Sequence, residues 1–254
     1  MAIPPGLKYL HFFDQLKRPL LFGSLTYEGI IPEEWPPQPE DTQFSLYNSA
    51  FLVEPGEGIV GRYDKTHLVP LGEYVPLTKW LFFLQKIVPS ISSFTPGKEF
   101  NLMSVGARFP RPDVASVAGG GTPPLHFGIT ICYEDLFPEI SRAFVKKGAQ
   151  FLVNLTNDAW YDKASAVYQH FDFSRYRAIE NRRSMIRATN TGISGIFSAT
   201  GEVLASAPLF QEAVLTAEVP VGGGVSFYNR YGDVFAWGCV IGVGILLLKC
   251  RRKS

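Results

Sequence analysis

The chain has 254 residues, enough for one large domain with a substantial core. Its 24 Lys and Arg against 23 Asp and Glu leave a formal charge of +1, so the charge balance gives no support to nucleic-acid binding and no nucleic-acid partner is expected. Three cysteines, Cys132, Cys239 and Cys250, are odd in number and widely spaced, which argues against a disulfide framework. No Cys or His pair has ligand spacing, so neither a metal nor another cofactor is expected.

In chain order, residues 19–27 (PLLFGSLTY) read as a core strand and residues 31–42 as a loop rich in Pro and Glu. Residues 44–53 read as a second strand, 54–58 (EPGEG) as a hairpin turn, and 59–68 as a third strand. Residues 77–88 are apolar almost all round and suit a helix at a bilayer surface or in a core. Residues 104–124 are loop-rich. Residues 125–131 (LHFGITI) form an apolar, β-branched run that ends at Cys132, and polarity then inverts at Glu134 and Asp135 before a helical pattern beginning near Pro138. Cys132 therefore lies where a strand hands over to a helix, whose positive end favours a thiolate; a buried core cysteine is the plainer alternative.

Next come a strand over residues 150–155 and a long helix over 164–183 with Val167, Tyr168, Phe171, Tyr176 and Ile179 as its apolar side. Strands follow over 185–189, 193–199, 203–204 and 213–219, and Gly222-Gly223-Gly224 reads as a linker. Strands alternating with helices, with several hairpins, predict a layered α/β domain.

The C-terminus differs in kind. Residues 234–248 (VFAWGCVIGVGILLL) carry no charge or Pro and are closed by Lys249, Arg251, Arg252 and Lys253. Tyr228, Tyr231 and Trp237 lie near the start, where interfacial aromatics belong. A helix from about Tyr231 to Cys250 reaches the ~20 residues a bilayer needs. This predicts a membrane span with its basic tail in the cytoplasm and the bulk of the chain on the other side. Export needs a signal or an earlier span, and residues 1–8 have neither pattern, so a preceding segment is expected.

Two further patches carry chemistry. One is Arg62-Tyr63-Asp64-Lys65-Thr66-His67-Leu68-Val69-Pro70-Leu71-Gly72-Glu73, which puts a lysine at a strand end before Pro and Gly turns. The other is Asn154, Asn157, Asp158 and Trp160 at the end of the strand after Cys132. With ICYED, these patches resemble the nitrilase (carbon–nitrogen hydrolase) superfamily, which uses a Glu–Lys–Cys triad. RYDKTHLVPLGEYVPL, NLTNDAWY, RAIENRRSMIRATNTGISG and YNRYGD resemble more closely the apolipoprotein N-acyltransferase family.

The resemblance implies a nitrilase-like four-layer α-β-β-α sandwich over residues 1–225 and one transmembrane helix with a cytoplasmic tail over 226–254. It implies Cys132 as nucleophile, Lys65 as the triad lysine and Glu73 as a second glutamate beside it, with Tyr133, Glu134, Asn157 and Trp160 as supporting residues. The family's general-base glutamate belongs to a Trp-Pro-Glu-(Ser/Thr)-Ala-(Ile/Leu)-Pro pattern. Ala2-Ile3-Pro4 matches its end, which puts the glutamate just before Met1 and makes the chain N-terminally incomplete by this pattern. The implied reaction moves a phospholipid acyl chain, through a Cys132 thioester, to the α-amine of a diacylglyceryl-cysteine apolipoprotein at the bacterial inner membrane, on its periplasmic side. A membrane-anchored amidase of the same superfamily, or an inactive family member, are the alternatives.

Overall fold

The computed structural model describes residue 13 and residues 15–29, 44–74, 94–106, 123–162 and 164–251. The apolar segment 77–88 lies outside them. A first, antiparallel sheet has the order β1 (Leu20–Gly29), β2 (Phe44–Glu54), β3 (Gly58–Asp64). β3 ends at Asp64, earlier than the 59–68 expected. The Lys65 N–H still donates to the Asn48 carbonyl, but the Thr66 and His67 N–H groups turn away to a side chain, Glu134, and the ladder stops there.

The second sheet has six strands side by side in chain order: β4 (Met103–Val105), β5 (Leu125–Ile131), β6 (Phe151–Thr156), β7 (Met185–Thr189), β8 (Gly195–Phe197) and β9 (Val203–Ser206). β5, β6 and β7 are parallel and the outer pairings antiparallel. Parallel neighbours need a crossover; α1 (Pro138–Lys146) and α2 (Ser165–Asn181) supply it on either side of β6. β5 is buried from Phe127 to Ile131, as a strand covered on both faces must be. Gly128 lets α1 seat: a Cβ there would lie 2.4 Å from the Phe144 Cβ.

Ala50, Leu52 and Tyr63 of the first sheet share one core with Phe127, Ile129 and Leu152 of the second and with Ile140 and Phe144 of α1. Among the described residues this is a layered α/β arrangement with two sheets. Among them α1 and α2 pack on the six-stranded sheet.

Three expectations need correction. α2 buries only part of the side predicted: Val167 is buried and Phe171 packs on the core, but Tyr168, Tyr176 and Ile179 are exposed, while His170, Ser174, Arg177, Ala178 and Asn181 face inward. Polar residues can take that face because they are paired in it, as the site below shows. Residues 213–219 form no strand, and Val214 is 94% exposed. The Gly222–Gly224 run is no free linker, because the Gly222 N–H donates to the Gln150 carbonyl and the Gly224 carbonyl accepts from Arg183.

Beyond it, α3 (Phe227–Tyr231) is held on α1 and α2. Ser226 caps it, accepting the Asn229 N–H at 2.8 Å and donating to the Glu180 carbonyl. Asn229 Nδ2 donates to Asn181 Oδ1 at 2.8 Å, and Arg142 donates to the carbonyls of Asn229 and Arg230 at 2.9 and 3.2 Å. α4 (Val234–Arg251) follows, 18 residues with none buried, long and apolar enough to cross a membrane.

Candidate active site

Cys132 leaves β5 with φ at +53°, the left-handed region that costs a non-glycine residue about 1–2 kcal/mol. Such strain persists only where surrounding contacts hold it. Here Asn154 Nδ2 and His170 Nε2 both reach the Cys132 carbonyl, at 3.1 and 3.3 Å. The residue opens a 3-10 turn, Cys132–Leu136, that leads into α1, and it is half-buried. The C-terminal ends of β5 and β6 therefore converge at one sheet edge, where open α/β sheets place their ligand sites.

Glu134 is fully buried within that turn. Its Oε2 accepts the Ile131 N–H at 2.8 Å, and its Oε1 accepts the N–H groups of Thr66 and His67 at 2.7 and 3.0 Å and the Thr66 hydroxyl at 2.9 Å. The Tyr63 hydroxyl donates to both oxygens at 3.0 and 3.1 Å. Burial pushes the Glu134 carboxyl up from its ordinary value, and the backbone donors pull it back only in part. Burial, then the neighbouring Glu134 charge, keep the Tyr63 phenol protonated. The structure makes Glu134 a bridge from the first sheet to the second.

Lys65 is buried, and a buried ammonium needs a counter-charge. Its Nζ lies 2.9 Å from Glu73 Oε1 and 2.7 Å from Glu73 Oε2. Glu73 is itself fixed, accepting the Val69 N–H at 2.8 Å and Asn48 Nδ2 at 3.1 Å. The loop between them thus folds back on its own ion pair.

Beneath Cys132 lies a polar ladder of which the patterns had singled out only Asn154 and Asp158. Thr130, Asn154 and Arg187 are register neighbours across β5, β6 and β7. Asn154 Nδ2 donates to Thr130 Oγ1 at 3.0 Å, and Arg187 Nη1 donates to Asn154 Oδ1 at 2.9 Å. Arg187 also meets Asp135 at 3.1 Å and Asp158 at 2.8 Å. His170 closes the group, with Nδ1 on Asp158 at 2.8 Å and Nε2 on Asp135 at 3.0 Å, and Ser174 donates to Asp135 at 2.6 Å. All six of Asp135, Asn154, Asp158, His170, Ser174 and Arg187 are buried. Burial would lower His170, but its bonds to Asp135 and Asp158 raise it, to about 9. Asp158 is held below its usual range: burial works against this, and the His170 bond and the Arg187 charge outweigh it.

Glu134 thus bonds the backbone of residues adjacent to Lys65 and to Cys132, namely Thr66 and Ile131, and Lys65 is paired directly with Glu73. Tyr133 is half-buried, edge-on to Phe137 with ring centres 6.1 Å apart. Asn157 and Trp160 stand at the exposed rim. Asn157 accepts the Ala159 N–H at 3.0 Å and Asn190 Nδ2 at 2.7 Å, and Trp160 is 82% exposed. Tyr63, Thr66, Asp135, His170, Ser174 and Arg187 went unnoticed as site residues. Part of their signal was present: Arg187 interrupts the middle of an apolar strand, and His170 and Ser174 stand one turn apart on α2.

Residues 24–226 match the carbon–nitrogen hydrolase family. The apolipoprotein N-acyltransferase of Geobacter metallireducens is 49% identical over 208 residues, 82% of this chain and 37% of that protein. That of Chlorobaculum tepidum is 32% identical over 250 residues, 93% of this chain and 45% of that protein. The chain thus spans less than half the length of these relatives. Among solved structures, an amidase from Nesterenkonia sp. is 20% identical with a TM-score of 0.46, covering 75% of this chain and 57% of that one.

Proposed function

Since the chain belongs to the carbon–nitrogen hydrolase family and its relatives are apolipoprotein N-acyltransferases, we propose that it carries the acyl-transfer centre of such an enzyme, with Cys132 as nucleophile. The observation that carries this is the Glu134 bridge, which ties the two residues after Lys65 and the residue before Cys132 to one carboxylate. The Cys132 sulfur attacks the ester carbonyl of a phospholipid, and the resulting oxyanion is stabilised by the Lys65 ammonium and the Tyr133 N–H. The lysophospholipid alcohol leaves and a thioester remains. The α-amine of a diacylglyceryl-cysteine apolipoprotein then attacks that thioester, forming an amide and freeing Cys132. Both Glu73 oxygens are committed to Lys65 and its loop, so Glu73 is a positioning residue and the proton acceptor is a different carboxylate. The family pattern assigns that part to the glutamate preceding Ala2-Ile3-Pro4.

In this reading residues 1–225 work at the outer face of the bacterial inner membrane and 226–254 anchor them, with α4 as the span and its basic end in the cytoplasm. Asn157 and Trp160 line the lipid-facing rim. The test supplies a phospholipid with a labelled acyl chain and a synthetic diacylglyceryl-cysteinyl peptide to a protein in which the chain follows a Trp-Pro-Glu segment. An amide-linked label on the peptide is expected. Release of the label only as free fatty acid contradicts acyl transfer and favours a hydrolase.

A further inference from the structure

We propose that His170 is a positioning residue for the Cys132 nucleophile: with Asp135, Asp158 and Arg187 it forms a buried, charge-balanced quartet that grips the Cys132 carbonyl and holds the strained turn on which the sulfur is presented. The inference rests on Cys132 being the nucleophile and adds a device that the triad does not contain.

The geometry dictates the protonation state. Both ring nitrogens of His170 face carboxylate oxygens, Asp158 Oδ1 at 2.8 Å and Asp135 Oδ1 at 3.0 Å. A neutral imidazole has one N–H and satisfies one of them; only the imidazolium donates to both. Two carboxylates, one guanidinium and one imidazolium then sum to zero charge in a volume where every member is buried. Nε2 also reaches the Cys132 carbonyl at 3.3 Å, alongside Asn154. The charged and titratable groups facing His170 are Asp135 on the 3-10 turn, Asp158 after β6, Arg187 on β7, and the rings of Tyr133 and Tyr161 at 6.4 and 6.1 Å. None except the two carboxylates makes a hydrogen bond to its ring nitrogens among these side chains.

Loss of the ring proton removes one of these donors. One carboxylate beneath Cys132 then keeps its Arg187 bond but loses its imidazolium donor, the quartet carries net negative charge, and the donor that shares the Cys132 carbonyl is weakened. The positive φ at Cys132 has no glycine to make it free, so the turn relaxes and the sulfur moves. A misplacement near 1 Å at a reacting atom costs roughly 100-fold.

The test uses p-nitrophenyl acetate, whose leaving group needs no proton donor, and follows the p-nitrophenolate burst from acylation of Cys132 between pH 6 and 10. The burst rate of the unaltered protein is expected to fall as the pH rises through about 9. His170→Gln, which keeps size but not charge, is expected to be slowed about 10- to 100-fold at pH 7.5, with unchanged KM and without that alkaline fall. Nitrogen NMR of the unaltered protein gives a second reading that needs no variant: both His170 ring nitrogens protonated at pH 7.5 is expected, and a neutral ring overturns the inference. An identical pH profile in His170→Gln also overturns it while leaving the proposed function standing. A burst that survives Cys132→Ala removes the nucleophile, and with it both readings.

Discussion

Glu134 accepts the backbone N–H of Thr66 at 2.7 Å across 68 residues of sequence, and so binds the residue after Lys65 into the turn that begins at Cys132. The same carboxylate takes the Ile131 N–H at 2.8 Å. Two loops from two sheets therefore share one side chain, and their relative placement depends on its length and its acceptor-only chemistry.

Glu134→Gln should expose that dependence. The amide puts an N–H₂ where an acceptor is needed, facing either Ile131 or the Thr66–His67 pair. An unsatisfied buried group of this kind costs about 1–3 kcal/mol. Urea unfolding should show the loss, and thioester formation at Cys132 should fall at least about tenfold with it. Wild-type stability and rate in the variant would mean that the bridge is dispensable.

Lys65 and Glu73 separate by kind of effect. Lys65→Met removes an oxyanion partner and should cost about 10²- to 10³-fold in acylation rate, while Lys146→Met, at an exposed position of α1, should cost little. Glu73→Gln strands the Lys65 ammonium in its buried site and should destabilise the protein by about 3–5 kcal/mol. Thermal melts beside single-turnover rates distinguish the two, and equal rates for the two lysine variants would remove Lys65 from the chemistry.

Much of this architecture was legible in the residues. The apolar run into Cys132 and the EPGEG turn specify a strand–turn–helix and a hairpin by local rules, and both are present. The inward face of α2 was misread for a physical reason. Periodicity places apolar side chains inside, yet His170 and Ser174 are buried because their partners, Asp135 and Arg187, arrive from elements 13 to 39 residues away. Long-range pairing of that sort leaves no local pattern. The strand expected over residues 213–219 does not form: among the described residues no strand pairs with it, and a strand depends on such a neighbour.

His170 also predicts how stability depends on pH. Its folded value, about 9, lies above the ordinary 6.5, so the folded state binds the proton more tightly than the unfolded chain. That stabilisation is complete below about 6.5 and is lost as pH rises through 9. The melting temperature should decline across this window and flatten in His170→Gln; a decline of equal slope in the variant would assign it to other groups.

The junction before α4 offers a separate check. Arg142 caps the carbonyls of Asn229 and Arg230, and a Cβ on Gly232 would lie 2.9 Å from Arg142 Nη1. Arg142→Ala should loosen α3 from α1 and α2 and speed tryptic cleavage after the exposed Arg230, without altering acylation of Cys132 by a soluble ester. An unchanged cleavage rate would mean that Ser226 and Asn229 alone hold the joint.

The central claim is that Cys132 carries the acyl group. The direct measurement is intact-mass analysis, with peptide mapping, of a protein in which the chain follows a Trp-Pro-Glu segment, after incubation with phospholipid vesicles. One acyl adduct, hydroxylamine-labile and located on Cys132, is the predicted result, absent from Cys132→Ala. An adduct of the same mass on the Cys132→Ala protein, or one mapped to Cys239 or Cys250, would contradict the account.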